Sequence, residues 1–180
     1  MSSAVKPIRR LSSRVVSIGN VDYVPQTVPD EFIFVFNIFT EEVEEKMLRL
    51  IQSGSEIDKK EVNDILSCMS KEFESEVGCK FNNRTVTTVV AGQEWREVQD
   101  LKYFNPCIIV INLGSQTNLI LRNKKTRATT QLIVPRRCMY LYRDPNDLYE
   151  RSTDRKLVDL IDNNEVKRET RYSIVFKSRK

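Results

Sequence analysis

Apolar positions along the chain change their spacing once, near residue 80. Before that point they recur at helical intervals, and after it they gather in short runs. The first run, Phe32 to Phe39, lies between Pro29-Asp30 and Thr40 and predicts a buried strand. Thr40 then suits the cap of a helix, because its hydroxyl can accept from free backbone N–H groups. Glu41 and Glu42 favour the positive end of that helix. Val43, Met47, Leu50 and Ile51 share one face, and Gly54 is a suitable stop. A second helix is predicted from Asp58 to Glu76, with Val62, Ile65, Leu66, Met69 and Phe73 as its apolar stripe and Gly78 as its end.

Beyond residue 80 the runs become strand-like. Arg84 to Val90, Cys107 to Leu113, Leu119 to Arg122, Thr129 to Val134, Cys138 to Tyr142 and Tyr172 to Phe176 predict at least six strands. Turn signals separate them at Gly92, Asn105-Pro106, Gly114-Ser115, Asn123-Lys124, Pro135 and Asp144-Pro145. Short strands after a helical start predict an α+β domain, a sandwich or jelly roll with helices against one sheet. Ser152 to Thr170 predicts a loop with some helix, since Leu157, Val158, Leu160 and Ile161 are its only apolar cluster. Val15 to Val24 predicts a short strand or hairpin about Gly19-Asn20.

Composition narrows the class. The 180 residues suit one domain, residues 29 to 180, behind a basic, partly flexible arm of residues 1 to 28. No leader pattern and no apolar run of about 20 residues is visible, so an intracellular protein of cytoplasm or nucleus, without a membrane contact, is predicted. The cysteines at 68, 79, 107 and 138 form no C-x-x-C pair, which predicts reduced, structural thiols. Net charge is only +4, but its distribution is uneven. Cations cluster at Lys6, Arg9, Arg10 and Arg14, at Arg122, Lys124, Lys125 and Arg127, at Arg136 and Arg137, and at Lys177, Arg179 and Lys180. Such clusters supply phosphate contacts or form a solvated charged surface, and composition does not separate the two.

Three segments carry a resemblance to a known family. Asn37-Ile38-Phe39-Thr40-Glu41-Glu42 is followed by an amphipathic helix; Ile108-Ile109-Val110-Ile111-Asn112-Leu113-Gly114 forms a central strand; Arg171-Tyr172-Ser173-Ile174-Val175-Phe176-Lys177 closes the chain. In order and spacing these resemble the AlkB-like iron/2-oxoglutarate dioxygenases, from residue 31 onward. The resemblance implies a double-stranded β-helix (jelly roll) with N-terminal helices packed on one sheet. It also implies iron(II) held by a His-x-Asp pair and a distant histidine, a facial triad with open positions.

The chain contains no histidine. Aligned from Gly92, the family's first histidine falls on Val98 and its aspartate on Asp100. The second histidine falls on Arg151, or on Glu150 if the loop shifts by one. Valine has no lone pair, and arginine is a fixed cation without an acceptor. The resemblance therefore implies degenerate metal positions at Val98, Asp100 and Arg151, with an Arg151–Asp100 ion pair as one way to fill the space. The former 2-oxoglutarate pocket maps to Thr87, Val89, Arg171 and Lys177, where only the two cations keep the family's character.

The expectation is a catalytically inactive domain that needs no metal or cofactor and binds nucleic acid, RNA or DNA. Its contact candidates are Arg9, Arg10, Arg14, Trp95, Tyr103, Arg122, Lys124, Lys125, Arg127, Arg136, Arg137 and Lys177. Trp95 and Tyr103 would stack on bases, or serve as core and rim residues. The alternatives are a protein-interaction or structural module on the same fold, and a dioxygenase with an unconventional metal site. A viral origin is compatible with the resemblance.

Overall fold

The computed structural model describes residues 16–18, 21–23, 32–97 and 101–180. The arm's Arg9, Arg10 and Arg14, the boundary at residues 28 and 29, and the positions Val98 and Asp100 lie outside the described residues.

β1 (Val16–Ile18) and β2 (Val21–Tyr23) pair antiparallel, as the predicted hairpin requires. β3 (Phe32–Val35) then leads into α1 (Glu41–Ser53) and α2 (Glu56–Val77). The α1 start follows the sequence signal: the Thr40 hydroxyl accepts from the Val43 N–H at 3.3 Å. Both helices end on a left-handed glycine, Gly54 and Gly78.

The remaining strands form a sandwich. One sheet has the order β3, β9 (Cys138–Arg143), β6 (Phe104–Leu113), β13 (Arg171–Arg179), β4 (Asn83–Val89). The other has the order β5 (Trp95–Glu97), β10 (Tyr149–Thr153), β7 (Thr117–Asn123), β8 (Thr129–Val134). All described pairings are antiparallel. This is the jelly-roll architecture predicted from the strand spacing, with the helices on the outer face of the five-stranded sheet.

Strand period explains the layering, since successive side chains point to opposite faces. In β6, Ile109, Ile111 and Leu113 join Met47, Met69 and Phe73 in the helix-side core, whereas Ile108 and Val110 join Leu119, Leu121 and Tyr140 between the sheets. A strand apolar on both faces is one buried on both faces. Helix α1 is also tied to the sheet by a buried charge. Glu44 is fully buried, accepts from the Gly114 N–H at 2.8 Å and pairs with Arg136 at 2.8 Å. Gly114 has φ +84°, and a Cβ there would stand 2.8 Å from the Thr170 carbonyl oxygen, so the turn requires glycine.

One expectation fails. Residues 152 to 170 contain no described helix; they complete β10 and form a hairpin of β11 (Val158–Ile161) and β12 (Asn164–Lys167). The apolar cluster alternates rather than spirals: Ile161 is buried, whereas Val158 and Leu160 are exposed. Asp162 and Asn163 both adopt positive φ, 48° and 64°, as a tight hairpin turn demands. The buried Arg168 guanidinium, clamped between Asp159 and Asp154, holds the hairpin in place.

If both faces of β6 are core, Ile108→Ala and Ile109→Ala should each cost about 2–5 kcal/mol in urea unfolding. A cost below about 1 kcal/mol at either position would contradict burial of that face.

Candidate functional site

The inner face of β13 places charge inside the sandwich. Val175 belongs to the inter-sheet core, so the alternating Arg171, Ser173 and Lys177 point inward with it. In register on the neighbouring strand stand Val89 opposite Arg171, Thr87 opposite Ser173 and Asn83 opposite Lys177. The four residues mapped to the former cosubstrate pocket therefore share one face.

β5 and β10 face them from the second sheet. Arg151 is in register with Glu97 on one side and with the buried Leu121 on the other, so both charges point inward. The Arg151 guanidinium lies 3.1 Å from the Glu97 carboxylate, and both side chains are almost fully buried. Neither atom of this contact has an aligned hydrogen-bond partner, so the attraction is one of charge rather than of direction. Lys177 reaches the other Glu97 oxygen at 3.5 Å, from across the sandwich. Arg151 also stacks on the Tyr142 ring, its guanidinium carbon 4.0 Å from the centroid.

Arg171, at the other end of β13 from Lys177, has no carboxylate partner among the described residues. One guanidinium nitrogen donates to Ser173 Oγ at 2.8 Å, the guanidinium stands 5.7 Å from the Trp95 ring centroid, and Nη2 is buried with no partner. Burial holds its pKa below the usual arginine value. Next to the Arg151–Glu97 pair a cleft of about 250 Å³ opens between the ends of β9 and β10, with Tyr142, Asp144, Tyr149 and Arg151 among its walls. The buried Asp144 accepts from the Tyr142 hydroxyl and, at 2.9 Å, from the Tyr149 N–H. Burial, then this hydrogen bond, pushes the Tyr142 phenol above its ordinary range, so it stays a neutral donor.

This donor set does not suit iron(II). At the Arg151 position the structure supplies a guanidinium and an ammonium around a single carboxylate, and two fixed cations repel a third. Among the described residues no group of three His, Cys, Asp or Glu is placed to hold a metal. The Arg151–Asp100 pair suggested by alignment involves a position outside the described residues; among the described residues Arg151 meets Glu97.

The nucleic-acid candidates separate by environment. Arg122, Lys125 and Arg127 are exposed on the β7–β8 hairpin and make no ion pair among the described residues. Lys124 is held by Asp147 at 2.6 Å. Arg136 and Arg137 are engaged by Glu44 and Glu41 on α1. Lys177 is an interior residue rather than a surface one. Trp95 is partly buried under Arg171, and Tyr103 is half exposed. The four thiols are unpaired; Cys107 and Cys138 are buried, and burial pushes the Cys107 thiol up to about 12.

Sequence reasoning missed Glu97, Tyr142 and Asp144. Glu97 sits two residues after Trp95, and Trp95–Glu97 is a three-residue strand too short to show a period. Asp144 reads as a turn residue before Pro145, and that turn role hid its side chain's hydrogen bonds.

No protein-family model matches the chain, and no curated protein matches it. Among solved structures the chain is similar to a prolyl-4-hydroxylase from Pseudomonas putida, with 7% identity and a TM-score of 0.54. That similarity covers 83% of this chain and 88% of the hydroxylase chain. At this identity the likeness shows the fold alone: a jelly roll similar to that of a dioxygenase.

Removing one partner of a buried ion pair leaves an uncompensated charge, which costs about 3–5 kcal/mol. Glu97→Gln should lose stability of that order in chemical denaturation, and Arg151→Met should be destabilising too. The double variant should cost less than the sum of the singles by about 0.5–3 kcal/mol. Strict additivity would show that the two side chains do not interact.

Proposed function

We propose that this chain is a degenerate, AlkB-like member of the dioxygenase jelly rolls that has lost the iron chemistry and binds nucleic acid through its phosphates. Three features support the loss of chemistry: no histidine in the sequence, Arg151 at an aligned ligand position, and its pairing with Glu97. The observation that carries nucleic-acid binding is the β7–β8 hairpin. Arg122, Lys125 and Arg127 lie within six residues of chain, exposed and in no ion pair among the described residues, although Glu150 stands in register with Arg122. Cations already paired on the surface lose much of their attraction for phosphate, so these three outweigh Lys124, Arg136 and Arg137. Contacts of this kind carry little sequence preference. Tyr103, half exposed, adds an aromatic face for a base.

A second reading has its own observation. Leu157, Val158 and Leu160 are exposed on and beside the β11–β12 hairpin, and exposed aliphatic side chains in one place favour a protein partner. Retrieval of one stoichiometric partner, lost in Leu157→Ser/Leu160→Ser, would favour this reading over nucleic acid.

Fluorescence anisotropy with labelled single-stranded and double-stranded RNA and DNA should show binding that weakens severalfold or more between roughly 50 and 200 mM salt. Replacing Arg122, Lys125 and Arg127 together by alanine should flatten the log–log salt slope by about 2–3. Absence of binding to every probe at low salt, or an unchanged slope in the triple variant, would overturn the proposal.

A further inference from the structure

The buried polar atoms without hydrogen-bond partners are not spread evenly. Three of them, Glu97 Oε2, Asp144 Oδ1 and Arg151 Nη1, belong to walls of the one cleft beside the ion pair. Native interiors leave few such groups, and each costs about 1–3 kcal/mol unless a partner arrives. The two orphans on Glu97 and Arg151 face each other at 3.1 Å and satisfy one another by charge. Asp144 has no such relief. It is 3% exposed, its Oδ2 takes both available protein donors, and no cation lies within ion-pair distance among the described residues.

Charge and shape define what would complete it. Four carboxylates, Glu97, Asp144, Asp147 and Glu150, line the cleft with two cations, Lys124 and Arg151; Lys177 reaches Glu97 from behind the wall at 3.5 Å, which leaves a balance of −1. Lys124 is taken by Asp147 at 2.6 Å, and Glu97 by Arg151 and Lys177, so Asp144 and Glu150 are the cleft carboxylates in no ion pair among the described residues. An anion is repelled, and the described carboxylates are not placed to hold a metal ion. The ring of Tyr149, partly exposed beside Asp144, offers an aromatic wall. The space of about 250 Å³ admits a linear side chain with a charged head.

We infer that this cleft is a binding site for an alkylguanidinium or alkylammonium group, whose N–H donors engage Asp144 and whose charge is balanced by Glu150 at the exposed rim. Such a head belongs to an arginine or lysine side chain or to a free amine. The cleft adjoins the β7–β8 hairpin, with Lys124 in its wall and Glu150 in register with Arg122, but a negative cleft takes no phosphate, so amine binding and nucleic-acid binding are measured with different probes and either proposal can fail alone.

Calorimetric titration of the full chain at low salt tests it, with agmatine, the tripeptide acetyl-Gly-Arg-Gly-amide, and succinate as probes. Agmatine or the peptide should bind saturably, and succinate should neither bind nor compete. The tighter of the two binders assigns the group to a free amine or to a polypeptide. Asp144→Asn should weaken binding about tenfold or more, as loss of a charge-assisted hydrogen bond requires. Should Asp144→Asn disturb the fold, Glu150→Gln at the rim and Tyr149→Leu at the wall should each still weaken binding severalfold. No saturable heat up to on the order of 10 mM probe, undiminished binding by these variants, or displacement by succinate would overturn the inference.

Discussion

The five-stranded sheet is covered on both faces, and that double burial sets the terms for the rest of the molecule. β6, at its centre, spends Ile109, Ile111 and Leu113 on the helices and Ile108 and Val110 on the second sheet. Its neighbour β13 must obey the same alternation. Tyr172, Ile174 and Phe176 go to the helix side, which leaves Arg171, Ser173, Val175 and Lys177 for the interior. Two cations thus enter a space where an unpaired charge is expensive. Glu97 answers one of them from the opposite sheet and also faces Arg151.

Fold alone does not decide what chemistry, if any, a jelly roll hosts. Here the interior holds a carboxylate between a guanidinium and an ammonium. That set fastens β5 to β10 and both to β13, a mechanical role that an ion-pair network can fill without any bound ion. Arg171 differs from its neighbours. It lacks a carboxylate, keeps a spare buried donor and rests near Trp95. On the outside, charge follows another logic. Glu44 and Glu41 draw Arg136 and Arg137 onto α1, whereas the β7–β8 hairpin leaves Arg122, Lys125 and Arg127 exposed.

The helices and the long strands were legible because their periods are long enough to repeat. Thr40, Gly54 and Gly78 mark the helix ends within a residue or two, and β8 falls on its predicted range. Thr87, Val89, Arg171 and Lys177 were picked out by the family resemblance, and the β13–β4 register places them on one face. Short elements were not. β5 has three residues, and the β11–β12 hairpin alternates a charged residue inward, Asp159, where an apolar one would announce a strand. Asp159 can be buried only because Arg168 returns to it from the far side of the hairpin, a pairing that no local pattern reveals. For the same reason the Glu97 contact of Arg151 was not legible: Glu97 meets it through cross-strand register, not through spacing in the chain.

On the proposed function, the Arg151–Glu97 ion pair has taken the place of a metal ligand. Anaerobic calorimetric titration of iron(II) into the protein with 2-oxoglutarate present tests it most directly. The expected result is no saturable heat for the natural chain and none for Arg151→Met. One iron bound per chain, abolished by Glu97→Gln, would contradict the claim.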